Sequence, residues 1–140
     1  MGTWETFDHT ADVGLRVSGV DLDDLFRTAA EAVFDYIVAN REAVRPSDRE
    51  AFELHADEAP ELLVAWLNEL NFRCETGRRL YGSFDVRVDE DGLGLRAEIA
   101  GEAIDRARHV LDHEVKAVTR HDLTLTRGES GWAAEVILDI

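Results

Sequence analysis

Residues 12–37 read DVGLRVSGVDLDDLFRTAAEAVFDYI, and the hydrophobic period changes inside this stretch. Val13, Leu15 and Val17 alternate with Gly14, Arg16 and Ser18, the two-residue period of a strand with one face on a core. From Leu22 the spacing becomes helical, with Leu22, Leu25, Phe26, Ala29, Val33, Tyr36 and Ile37 on one stripe. Asp21, Asp23 and Asp24 stand where orphan N–H groups and the positive helix end favour carboxylates. The pattern predicts a strand followed by a helix over 22–39.

Working outward, a shorter strand around Trp4–Phe7 precedes this unit. Downstream, Phe52, Leu54 and Ala56 alternate with Glu53 and His55, which predicts a strand over 51–56. Pro60 suits the first position of a second helix, whose stripe is Leu62, Leu63, Trp66, Leu67, Leu70 and Cys74 and whose stop is Gly77. Leu80, Phe84, Val86 and Val88 share one parity, Asp91-Gly92 signals a turn, and Leu93, Leu95, Ala97 and Ile99 return as a hairpin. Residues 115–118 and 123–125 read as short strands, Gly128–Gly131 as a turn, and Trp132, Ala134, Val136 and Leu138 as the inward face of a last strand. The expected fold is α+β, two helices packed on mainly antiparallel sheet, in one domain over 1–140.

At 140 residues and 45% apolar composition, a single core needs no staple. The lone Cys74 cannot form an internal disulfide and fits a reducing, cytoplasmic setting; on an apolar helix stripe it reads as a small buried hydrophobe. The amino terminus has neither a basic nor an apolar leader region and the apolar runs are short, so neither a secreted precursor nor a membrane protein is expected. Thirty acidic residues against fifteen basic give a charge of −15, which opposes independent nucleic-acid binding. That charge is compatible with solubility alone or with a basic partner. All the basic residues except Lys116 are arginine.

No Gly-rich phosphate loop, G-x-S-x-G elbow, H-E-x-x-H or paired C-x-x-C is present. Asp105, His109 and His113 recur at four-residue spacing, but the polarity of 103–116 favours a solvated loop over a metal site. What remains is Asp8-His9-Thr10-Ala11-Asp12-Val13-Gly14 and the closing Ile137-Leu138-Asp139-Ile140. Strand parity puts Asp12 and Asp139 off the core, and the α-carboxylate of Ile140 adds a third oxygen group. Such a set suits Ca²⁺, Mg²⁺ or Mn²⁺ better than zinc, although exposed aspartates are commonly plain solvated surface.

These segments resemble the archease family, cofactors of the RtcB-type 3′-phosphate RNA ligase of tRNA splicing. The resemblance runs through Phe7–Gly14, Leu25-Phe26 with Ala29-Ala30, Leu62–Leu70, Val115–His121 and Val136–Ile140, with Arg120 where an aromatic residue is usual. It implies a divalent ion (Ca²⁺, Mn²⁺ or Mg²⁺) held by Asp12, Asp139 and the carboxylate of Ile140, in a protein that is not itself an enzyme. It further implies that the protein promotes GTP-dependent guanylylation of the ligase and its multiple turnover. His9 and His121 then stand behind the ligands or serve structure or partner contact. Lys116 either pairs with a carboxylate or phosphate near that site or is an ordinary strand-edge lysine. A chaperone-like interaction module and an independent metallohydrolase are the alternative function classes.

Overall fold

The computed structural model describes residues 2–9 and 12–140; Thr10 and Ala11 of the first sequence block lie outside the described residues. The opening stretch folds as its period demands. Strand β1 (Thr3–His9) pairs antiparallel with β2 (Asp12–Gly19), which leads into helix α1 (Leu22–Ile37). Asp21 caps α1 by accepting the Asp24 N–H at 2.8 Å. The helix stops at Ile37, two residues before the predicted end. Val38 is extended there and forms an isolated bridge to Leu111, while Ala39 N–H reaches Val110 O, so tertiary pairing replaces the last helical bonds.

After a 3₁₀ turn at Arg41–Ala43 come β3 (Asp48–His55), α2 (Ala59–Gly77), β4 (Arg79–Val88) and β5 (Gly94–Ala103). The left-handed residue that ends α2 is Arg78, at φ 53°, rather than Gly77, and its N–H bonds to Cys74 O. Strands β3, β5 and β4 form a three-stranded antiparallel sheet in that order. A register shift between Tyr81 and Ser83 interrupts the strand parity, so that Tyr81, opposite Gly101, joins Phe84 and Val86 on one face; Leu80, one residue before it, is buried as well.

The two short strands predicted near 115–125 are one strand, β6 (Ala117–Gly128), which pairs with β7 (Gly131–Asp139). Its register jumps from Thr119↔Ile137 to Thr124↔Glu135, so β6 advances five residues while β7 advances two. The break seen in the pattern is thus a wide bulge, with Asp122 left-handed at φ 52°. The second sheet runs β1-β2-β7-β6.

Both helices touch both sheets: α1 lies on β2 and β4, and α2 on β6, β4 and β3. Trp66 is fully buried and donates its indole N–H to Phe26 O at 2.9 Å, fixing α2 against α1. Around it pack Leu25, Phe34, Leu63, Leu67 and Leu70, with Leu15, Val17, Val136 and Leu138 from the sheet. Among the described residues no helix is long and apolar enough to cross a membrane.

Candidate functional site

The first sheet has an inner face on the helices and an outer face whose composition changes row by row. In one row Arg16 of β2 bonds Glu5 of β1 at 2.5 Å and Glu135 of β7 at 3.0 Å. The next row is apolar: Phe7, Gly14 and Ile137 are paired across three strands. A Cβ on Gly14 would meet the Phe7 ring at 2.2 Å, so only glycine lets that ring lie over β2. This row also explains why Ile137 is buried although it shares its face with Asp139.

The third row carries the candidate chemistry. His9 of β1 pairs with Asp12 of β2. Carrying the β2–β7 register one step past Val13↔Leu138 sets Asp12 opposite Asp139, whose other neighbour is Ala117. Directly opposed residues on one face bring Cβ atoms to roughly 4.5–5.5 Å, within reach of a shared cation. The parity reading of both carboxylates therefore agrees with the register, and both residues are half-buried beside the apolar row. Ile140 follows, 39% exposed. Oxygen donors alone, on side chains opposed by strand register, fit a hard divalent cation.

Lys116 lies just before β6 with an exposed side chain, and its backbone N–H donates to Asp139 O at 2.8 Å. It therefore adjoins the terminal aspartate through the main chain. Helix α2 holds this entry to β6. Asn68 donates to Val118 O and accepts Val118 N–H, each at 2.9 Å, and Asn71 donates to Val115 O at 2.9 Å. The two asparagines of α2 thus act as a docking strip for the strand that flanks Asp139.

His9 and His121 meet in the structure. Their rings stand edge to face at 5.3 Å, and both approach Asp122 Oδ2, His9 Nε2 at 3.3 Å and His121 Nε2 at 3.5 Å. Among the described residues, this trio is the one set of three His, Cys, Asp or Glu groups with ligand atoms mutually within 4.8 Å. Sequence reading missed Asp122. Its signal was weak: an aspartate tolerates the left-handed backbone that a wide bulge requires, but nothing in a linear pattern brings residue 122 to residue 9.

Asp105, His109 and His113 do not converge. The segment is irregular, as expected, yet a solvated loop is the wrong picture of its centre, because His109 is buried. His109 Nδ1 accepts the Asp105 N–H at 2.9 Å, leaving Nε2–H to reach Glu102 Oε2 at 2.9 Å. Glu102 also accepts Arg45 N–H at 2.7 Å and pairs with Arg108. Burial pushes its carboxyl pKa up, but those donors outweigh it and hold the group at about 2. His113 instead stacks on Tyr36 at 4.2 Å. Burial raises the Cys74 thiol to about 12, in keeping with an inert packing residue.

A model of the Archease protein family matches residues 4–140. Protein archease of Methanopyrus kandleri is 37% identical over 139 residues, covering 98% of this chain and 99% of that protein. That of Thermococcus gammatolerans is 33% identical over 143 residues, covering 100% of both. The solution structure of a Methanobacterium thermoautotrophicum protein has a TM-score of 0.83 at 34% identity, with 98% of each chain covered. The crystal structure of a Thermotoga maritima archease, described as a possible chaperone, shares the fold at 16% identity and a TM-score of 0.67, over 97% of this chain and 96% of that one. With the family pattern running from β1 to the last residue of β7 and beyond, and with full-length relatives above 30% identity, the chain belongs to the archease family.

Proposed function

We infer that this archease is a non-enzymatic, cytoplasmic activator of an RtcB-type 3′-phosphate RNA ligase, promoting its GTP-dependent guanylylation and repeated turnover in tRNA splicing. What supports the reading is family membership together with one observation: the β2–β7 register, carried one step past Val13↔Leu138, sets Asp12 opposite Asp139 at the ends of the two central strands, where both are half-buried. A purely structural role would not require two opposed carboxylates there, since like charges across strands destabilise a sheet. Asp12, Asp139 and the carboxylate of Ile140 hold the divalent ion. When bound, a hard cation neutralises phosphate oxygens and templates an in-line displacement. The chain's own contribution is to fix those oxygens on strands, with Lys116 tied to Asp139 through its backbone N–H and its side chain exposed. The acidic surface, with a net charge of −15, favours docking at a basic active-site mouth.

The test is multiple-turnover ligation by the purified ligase with and without this protein. Asp12→Ala keeps the wild-type circular dichroism and loses activation; normal activation by that variant sinks the proposed site. Residues added after Ile140 turn its carboxylate into a neutral amide, weakening calorimetric Ca²⁺ or Mn²⁺ binding and activation together, whereas the same tag at the amino terminus does neither. Binding to the ligase without any gain in guanylylation would instead support a chaperone-like module.

A further inference from the structure

Beyond the oxygen site, we propose that His9, His121 and Asp122 form a second metal site, which takes a borderline transition-metal dication such as Zn²⁺ or Co²⁺. The geometry carries this assignment. Tetrahedral zinc bound at roughly 2.0–2.2 Å keeps its ligand atoms roughly 3.3–3.6 Å apart. The two nitrogen-to-oxygen separations here, 3.3 Å from His9 and 3.5 Å from His121 to the same Asp122 Oδ2, already match edges of such a tetrahedron. All three ligand atoms lie within 4.8 Å of one another, so closing the site takes a small side-chain movement. Two imidazoles and one carboxylate select a borderline ion over Ca²⁺, and three protein ligands leave a fourth position open to water or a phosphate oxygen.

A second observation concerns the far side of the His9 ring. Nδ1 is buried and has no hydrogen-bond partner among the described residues; the nearest acidic oxygen is Asp12 Oδ2, at 4.0 Å. Binding a cation through Nε2 fixes the proton on Nδ1, and a metal-bound histidine ordinarily donates that proton to a carboxylate. His9 is then the link between the two sites, with Nε2 on the transition metal and Nδ1–H directed at a ligand of the hard cation. His121 and Asp122 lie within the bulge of β6, between Thr119 and Thr124, and it is from this bulge that Asp122 reaches His9.

The apo protein is titrated with Co²⁺, which reports tetrahedral coordination through intense visible absorption bands, and Ca²⁺ binding is followed separately by calorimetry. The expected result is one tetrahedral Co²⁺ per chain, displaced by Zn²⁺. His121→Ala and Asp122→Asn each weaken Co²⁺ binding about tenfold or more. Both residues are exposed, so circular dichroism stays unchanged, and Ca²⁺ affinity in His121→Ala stays at the wild-type level. Absence of tetrahedral bands at millimolar Co²⁺ overturns the proposal. So do bands that survive His121→Ala but vanish in Asp139→Asn, which would assign the cobalt to the carboxylate site. Loss of Ca²⁺ binding in Asp139→Asn tests only the oxygen site, so failure of one reading is distinguishable from failure of the other.

Discussion

At the scale of single residues, a large electrostatic perturbation of a carboxyl group lies away from the candidate site, at Glu102. Its carboxyl sits at about 2 in the folded protein, against an ordinary 4.5, because Arg45 N–H, Arg108 and His109 offset the burial penalty. A depressed acid contributes stability that is fully present above the unfolded value and is lost as pH falls from 4.5 toward 2. Glu102→Gln should therefore be less stable at neutral pH and less sensitive to acid across that window. Urea midpoints at pH 7 and pH 3 measure both effects, and a variant with the wild-type pH slope would exclude Glu102 as the titrating group. His109 was legible as a histidine in a polar segment; its burial was not, because the carboxylate its ring reaches, Glu102, is supplied by β5.

At the scale of elements, the periodic stretches were legible and their ends less so. Helix α1 ends early because Val38 finds a bridge partner in Leu111, 73 residues away in sequence, and α2 ends on a left-handed arginine beyond its glycine. The β6 break was visible as a lapse in alternation, but a lapse looks the same whether the chain leaves the sheet or bulges within it. Before its bulge β6 is held by β7 on one side and, from α2, by the pair of hydrogen bonds to Asn68. Asn68→Ala leaves a strand N–H and C=O without those partners and should cost about 1–3 kcal/mol. Hydrogen exchange at Val118 should accelerate, and divalent-ion binding should weaken because the strand beside Asp139 loosens. An unchanged Val118 exchange rate would show that β6 is held by β7 alone.

At the scale of the whole molecule, thirty acids and fifteen bases surround a core built on both helices and both sheets. Arginine spends much of its charge in pairs, as in Arg16 with Glu5 and Glu135, or Arg73 with Glu50 and Glu69. The surplus is therefore negative, and naked tRNA should bind weakly or not at all. Filter binding at low and moderate salt checks this. Tight binding that falls steeply with added salt would mean that a local basic face outweighs the net charge.

The sequence by itself determined the two helices, the alternating strands and their inward faces, since each is a periodic burial pattern that neighbouring residues impose on one another. It also determined that Asp12 and Asp139 face away from the core, because strand parity depends only on counting. Tertiary structure alone decided which strand lies beside which, and so which side chains share a row. The order β1-β2-β7-β6 sets Asp12 between His9 and Asp139, and the bulge in β6 carries Asp122 to His9 across 113 positions of sequence. A site assembled from strand edges depends on register between distant segments. That register is fixed by the summed burial of entire faces rather than by the residues of the site.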